Sequence, residues 1–91
     1  MSKYSLHQTP SDISQSLIEK IKVLRKQEGL SQVELATRSG VSLGSIKRFE
    51  RTGEISLSSL LQIVYVLDRL EDFKLILNPN NEQSKEHLFS I

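Results

Sequence analysis

The sequence predicts an all-α fold: a compact bundle of five helices with a flexible arm before it and a flexible tail after it. Apolar residues recur at spacings of three and four along most of the chain, as they do on the buried face of a helix. A residue able to cap a helix precedes each main apolar run, and no run before the tail has the two-residue period of a strand. Because 91 residues allow one core, we predict a single domain over residues 12–77, with the arm at 1–11 and the tail at 78–91.

The first helix is predicted over Asp12–Glu28, after an opening that is polar and has no periodicity. Ser11 or Asp12 can cap its start by accepting a hydrogen bond from an unpaired amide of the first turn, and Gly29 can end it in a left-handed conformation. The stripe that would face the core consists of Ile13, Leu17, Ile18, Ile21 and Leu24.

The second helix is predicted to be short. Ser31 and Glu34 have the spacing of a capping box, in which each side chain accepts from the backbone amide of the other residue. The helix should therefore begin at Gln32, and Gly40 should end it after about two turns.

The third helix is predicted over Leu43–Arg51, with Ser42 as its cap and with Ile46 and Phe49 on its inward side. Together with the second helix it makes a pair of short helices joined by a glycine-containing turn, preceded by an amphipathic helix and followed by an apolar one. This order is the plan of a helix-turn-helix DNA-binding domain.

The fourth helix is predicted to begin after the cap Ser56 and to run to Leu70, and it is apolar on two sides. One stripe serves the core and consists of Leu57, Leu60, Leu61, Val64 and Leu67. The second stripe is completed by a short fifth helix over Glu71–Leu77. Because it is also apolar, it must be buried against some other surface. Burial of the whole fourth helix within its own protomer is one alternative. We predict instead that a second copy of the chain covers the stripe, through Ile63, Val66, Leu70 and Phe73.

The stretch from Ile18 to Leu67 resembles the XRE-type helix-turn-helix, the superfamily of lambda repressor and Cro. Seven residues match the characteristic residue types of that motif: Gln32, Ala36, Gly40, Val41, Ile46, Phe49 and Glu50. The resemblance implies a sequence-specific regulator that binds double-stranded, palindromic operator DNA as a homodimer through its third helix. It also implies an internal salt bridge between Arg25 and Glu50.

The third helix would enter the major groove with its N-terminal residues towards the base edges. The sequence departs from many relatives at Leu43 and Gly44, which leaves Lys47 and Arg48 as the charged side chains able to contact bases. Gln32 is expected to donate to a phosphate beside the positive end of its helix. The full set of predicted DNA contacts is Gln32, Ser42, Leu43, Gly44, Ser45, Lys47, Arg48 and Arg51. The alternative for the charged members is that they are ordinary solvated side chains.

Two stretches, YSLHQTPSDI near the start and VSLGSIKRFERTGEISLSSLLQIVYVLDRLEDF further on, are similar to HipB-type antitoxins, which act beside HipA-type Ser/Thr kinase toxins. This resemblance implies a repressor of its own operon with a kinase toxin as partner. The acidic C-terminal half and the apolar tip HLFSI would then contact the toxin or pair as strands between protomers, and a free tail is the alternative. A stand-alone or phage-type regulator, and an interaction module without DNA binding, also stay open.

Composition excludes several other classes. The chain has no Cys, and His7 and His87 are isolated, so no metal site, cofactor site or catalytic group can be assembled and we expect no enzyme. Its apolar runs are too short to span a membrane, so a bacterial cytoplasmic, nucleoid-associated protein is the expectation. The net charge of +1 divides unevenly: residues 1–55 carry nine basic and six acidic side chains, and residues 56–91 carry three and five. The two halves are therefore expected to meet different partners, DNA and protein.

Overall fold

The computed structural model describes residues 8–79 of the chain. These residues form four α-helices and one short 3-10 helix, and no strand is found among them. The helices are α1 (Pro10–Gln27), α2 (Gln32–Ser39), α3 (Leu43–Thr52) and α4 (Leu57–Val66), and the 3-10 helix follows at Leu70–Lys74. The all-α prediction is confirmed, and the prediction of a fifth α-helix is wrong. None of the helices within this part of the chain is long and apolar enough to cross a lipid bilayer.

The fifth α-helix is missing because α4 ends four residues earlier than predicted and the chain turns there. Leu67 is the C-cap of α4, and Asp68 takes a positive φ of 60°, a backbone conformation that Asp tolerates better than most side chains. The amides of Asp68 and Arg69 then donate to carbonyls in the last turn of α4. A second positive φ, at Leu77, follows soon after, so too few residues remain to offset the cost of starting another α-helix.

α1 begins at Pro10, two residues before the predicted start. Thr9 is the N-cap: its Oγ1 accepts from the Asp12 amide at 3.1 Å, and the Asp12 carboxylate accepts from the Thr9 amide at 3.1 Å. Pro10 suits the first helical position, where its fixed φ is helical and its missing N–H leaves no bond unmade. Residues 1–7 of the predicted arm and residues 80–91 of the predicted tail lie outside the described residues.

The caps predicted for the three following helices are present. Ser31 Oγ accepts from the Glu34 amide at 3.0 Å, and Glu34 Oε1 accepts from the Ser31 amide at 2.8 Å. The bond from the Ser31 amide holds the pKa of Glu34 below its ordinary value, which keeps a negative charge at the positive end of α2. Gly40 ends α2 with a φ of 77°. Ser42 and Ser56 cap α3 and α4, each accepting from the amide three residues later.

The core lies where the four α-helices meet, and it takes in one side of α3. Its largest fully buried side chains are Leu35 on α2, Ile46 and Phe49 on α3, and Ile63 on α4. The other buried apolar side chains are Ile18, Ile21, Leu30, Val41, Leu60, Val64 and Leu67. Because α3 has only ten residues, its position depends on these contacts more than on its own helical propensity.

The second apolar stripe of α4 is divided between the interior and the surface. Ile63 has no accessible surface, so its predicted place in an interface between protomers is corrected: its own protomer covers it. Val66 and Phe73 are half-buried and pack against the same core, whereas Leu70 is exposed. A second copy could therefore contact only the outer part of the predicted interface.

Candidate nucleic-acid interface

α3 has a buried side and a positively charged side. Ile46 and Phe49 hold the buried side in the core. None of the seven predicted DNA contacts on this helix and its cap is buried: the exposed residues are Ser42, Gly44, Lys47, Arg48 and Arg51, and the half-buried ones are Leu43 and Ser45. The helix is therefore held along one side while its cations are open to a polyanion.

The turn between α2 and α3 is fixed by a glycine and a serine. Gly40 has a φ of 77°, in the left-handed region that favours glycine. Ser39 Oγ accepts from the Val41 amide at 3.1 Å, and the Val41 side chain is buried beneath the turn. The two helices are therefore joined as one unit.

A network shielded from water joins this unit to the end of α1. Arg25 donates from Nε to Glu50 Oε2 at 2.9 Å and from Nη2 to Glu50 Oε1 at 3.2 Å. Its Nη1 donates to the carbonyl of Leu30 at 2.9 Å, in the loop between α1 and α2. The side chains of Arg25 and Glu50 are only 10% and 7% exposed. The expected salt bridge between these two residues is therefore present, as a bidentate pair.

Gln32, the first residue of α2, belongs to the same network. Its Nε2 donates to Glu50 Oε1 at 2.9 Å. An amide nitrogen carries two hydrogens, so one remains for another acceptor while the contact with Glu50 fixes the orientation of the group. The phosphate contact of Gln32 stays a prediction, and the structure adds that the side chain is already held in place.

The two serines at the start of α3 are hydrogen-bonded to each other. Ser42 Oγ accepts from the Ser45 amide at 3.1 Å and donates to Ser45 Oγ at 2.9 Å. The Ser45 hydroxyl therefore keeps its own hydrogen for an outside acceptor, whereas the Ser42 hydroxyl serves the helix cap. Of the two, Ser45 is the better placed to donate to a base or a phosphate.

Arg48 forms an ion pair that the sequence analysis does not predict. Its Nε donates to Glu54 Oε1 at 2.9 Å, and its Nη2 donates to the same oxygen. The two residues are six apart, which is beyond the spacing of neighbours on a helix. They meet because Gly53, with a φ of 85°, turns the chain back at the end of α3. The signal in the sequence is an acidic residue directly after the glycine that ends the helix.

The remaining cations of α3 are not compensated in this way. Within residues 8–79, neither Lys47 nor Arg51 forms an ion pair. Both are exposed, so their charge is available to phosphate groups. No group of three or more His, Cys, Asp or Glu side chains that could hold a metal ion is found in this part of the chain.

An apolar groove of about 340 Å³ lies between α1 and the 3-10 helix. Its apolar lining consists of Leu17, Ile21, Val23, Leu24, Val64 and Phe73. Beyond the 3-10 helix, the consecutive residues Leu75, Ile76 and Leu77 are 72%, 54% and 95% exposed. Such a run of exposed apolar side chains is unusual on the surface of a monomer.

A model of a known protein family matches the chain over residues 21–72, and its description is Helix-turn-helix (HTH_3). The match covers more than half of the chain and includes α2, the turn at Gly40 and α3. No curated protein and no solved structure matches the chain.

Proposed function

Because the chain belongs to the helix-turn-helix family of XRE type, we propose that it is a sequence-specific transcriptional repressor that binds palindromic operator DNA through α3. The observation that carries the proposal is the two-sided character of α3. One side is anchored in the core, and the other exposes Lys47, Arg48 and Arg51. An α-helix fits the major groove of B-DNA, where such cations can reach both phosphates and guanine.

Fluorescence anisotropy with a labelled duplex from the promoter of its own operon tests the proposal at two salt concentrations. We expect binding that prefers this duplex over a scrambled one of the same composition. The affinity should fall as salt rises, because the cations displace counterions from the phosphates. Salt-sensitive binding without preference would reject a specific repressor, and no binding would favour a protein-interaction module.

Arg48→Ala is expected to weaken operator binding by about 1–3 kcal/mol and to relax the base preference at one position, because a bidentate contact with guanine is lost. Titration against single-base variants of the operator measures both effects. Arg69→Ala is the matched control, since Arg69 also forms an exposed ion pair, with Asp72 at 2.8 Å, but lies outside α3. Equal affinity and preference in the two variants would remove Arg48 from the interface.

The proposed repressor binds its palindrome as a homodimer, because a two-fold DNA site is matched by a two-fold protein. The surface we assign to the second copy is the apolar surface around the 3-10 helix, defined by Leu70, Phe73 and residues 75–77. Its support is the high exposure of Leu75 and Leu77, which leaves a continuous apolar run in contact with water.

Sedimentation velocity tests the dimer. The wild type is expected to sediment as a dimer at tens of micromolar, and Leu77→Asp should shift it towards the monomer, because it places a charge in the proposed interface. Ile13→Asp is the control. Ile13 lies on the surface, as Leu77 does, and is 53% exposed, but it belongs to the start of α1 and not to the proposed interface. A wild-type monomer at this concentration would refute the dimer.

The finer function we propose is that of antitoxin and autorepressor in an operon with a HipA-type kinase toxin. It is supported by the similarity of residues 41–73 to HipB-type antitoxins and by the acidic excess of residues 56–91. Expression together with the product of the neighbouring gene tests it, and the two proteins should elute as one complex. A neighbouring gene that encodes no kinase-like protein would favour the alternative, a stand-alone or phage-type repressor.

A further inference from the structure

We propose that Glu54 is a specificity-determining residue of the operator site: its carboxylate orients Arg48 so that the guanidinium presents two parallel donors to a guanine. This inference rests on the proposed function, since it requires a DNA that α3 binds with base preference. Glu54 acts through Arg48 and is a positioning residue, whereas Arg48 makes the contact.

The ion pair leaves the outer edge of the Arg48 guanidinium open. One carboxylate oxygen, Glu54 Oε1, accepts from both Nε and Nη2. A guanidinium has five N–H donors, so three remain, one on Nη2 and two on Nη1. The Nη1–H and Nη2–H at the outer end are parallel and match N7 and O6 of guanine. The Arg48 side chain as a whole is 62% exposed, and no hydrogen bond within residues 8–79 occupies these outer donors.

Glu54 is itself held in position by the chain around it. Its amide donates to Thr52 Oγ1 at 3.1 Å, and Thr52 Oγ1 donates to the carbonyl of Arg48 at 2.8 Å. Between them, Gly53 packs so closely on α1 that an added Cβ would lie 3.3 Å from the Cβ of Ser14. The turn that carries the carboxylate is therefore anchored both to α3 and to α1.

Orientation explains this pair better than folding stability does. The side chains of Arg48 and Glu54 are 62% and 63% exposed, and exposed ion pairs contribute little to stability because water screens them and two long side chains lose freedom. A carboxylate beside a DNA-binding helix also repels phosphates. Its repulsion weakens non-specific binding while its hold on Arg48 favours the specific contact, so both effects raise the ratio of specific to non-specific affinity.

The surroundings of the pair offer space for a base edge. Ser45, one turn before Arg48 on α3, lines a recess of about 310 Å³ together with Arg48, Glu54 and the start of α4. The Ser45 hydroxyl accepts a hydrogen bond from Ser42, and its own hydrogen is not donated to any group within residues 8–79. A second donor therefore lies beside the oriented guanidinium.

Duplexes selected from a random library by the wild-type protein supply the operator for the test. The position contacted by Arg48 is the one whose base preference is lost in Arg48→Ala. At that position we expect Glu54→Ala to lower the preference for guanine about five- to tenfold, while the affinity for a non-specific duplex rises. Replacing this guanine by 7-deazaguanine, which lacks the N7 acceptor, should lower the affinity of the wild type for the duplex. The same replacement should lower the affinity of the Glu54→Ala variant less.

Glu71→Ala is the matched control, since it removes the same charge from an exposed ion pair, with Lys74 at 3.6 Å on the 3-10 helix. Glu71→Ala should leave the preference for guanine unchanged. In an Arg48→Ala background, adding Glu54→Ala should cause no further loss of that preference. If Glu54→Ala strengthens specific and non-specific binding by the same factor, the carboxylate only repels DNA and the inference is overturned. A wild type without any base preference would overturn the proposed function, and this inference with it.

Discussion

Replacing Glu50 with alanine is expected to destabilise the domain by about 3–5 kcal/mol, because the Arg25 guanidinium then stays charged and buried without its carboxylate. Arg25 is 8% exposed, and Glu50 accepts two of the three hydrogen bonds that its side chain donates. Glu50 also accepts from Gln32, so the variant removes that bond as well. Equilibrium unfolding in urea, followed by circular dichroism, measures the loss.

Two variants separate this effect from an ordinary change of surface charge. Glu71→Ala breaks the exposed pair with Lys74 and should cost less than about 1 kcal/mol. Glu50→Gln keeps the shape and one acceptor but removes the charge, so its loss should be intermediate. A loss in Glu50→Ala no larger than in Glu71→Ala would contradict a structural role for the network.

The position of Glu50 also connects folding to the proposed DNA contact. The carboxylate that pairs with Arg25 holds the Gln32 amide, whose predicted partner is a phosphate. Phosphate contacts carry no sequence information, so folded Glu50→Ala should bind specific and non-specific duplexes more weakly by a similar factor. Glu54→Ala is expected to change the ratio of these affinities instead. The two carboxylates at the end of α3 therefore have separable roles.

The starts of three helices could be predicted from the sequence because a cap is a local interaction. Ser31, Ser42 and Ser56 each lie three residues before the amide from which they accept. At α1 the two predicted caps, Ser11 and Asp12, are wrong: Pro10 fits the first helical position, so the cap is the residue before it, Thr9.

Features that depend on tertiary geometry could not be predicted from spacing. α4 ends at Val66, and the left-handed residue that follows its C-cap is Asp68 rather than a glycine, so the sequence carries no strong stop signal there. Periodicity places Ile63 on an apolar stripe, but only the arrangement of the helices decides that this side faces the core. The pairing of Arg25 with Glu50, 25 residues later, is accessible through family resemblance alone, and that of Arg48 with Glu54 depends on the turn between them.

Phe49→Ala is expected to destabilise the domain as much as Glu50→Ala does, by about 3–5 kcal/mol, because it leaves a cavity in the middle of the core. Phe49 is 2% exposed and is among the largest fully buried side chains of the described residues. A domain of this size has a total stability of about 5–15 kcal/mol, so thermal denaturation should show a midpoint lower by more than about 10 °C. Val33→Ala on α2 is the control, since Val33 is 57% exposed and its loss should change the midpoint little.

The same variant separates the attachment of α3 from base recognition. Phe49 is buried whereas Lys47 and Arg48 are exposed, so truncating Phe49 should not change which base is preferred. In anisotropy titrations at low temperature, the affinity should fall only in proportion to the unfolded fraction, and the ranking of single-base operator variants should stay that of the wild type. A different ranking in folded Phe49→Ala would mean that base preference depends on the packing beneath α3 as well as on its outer residues.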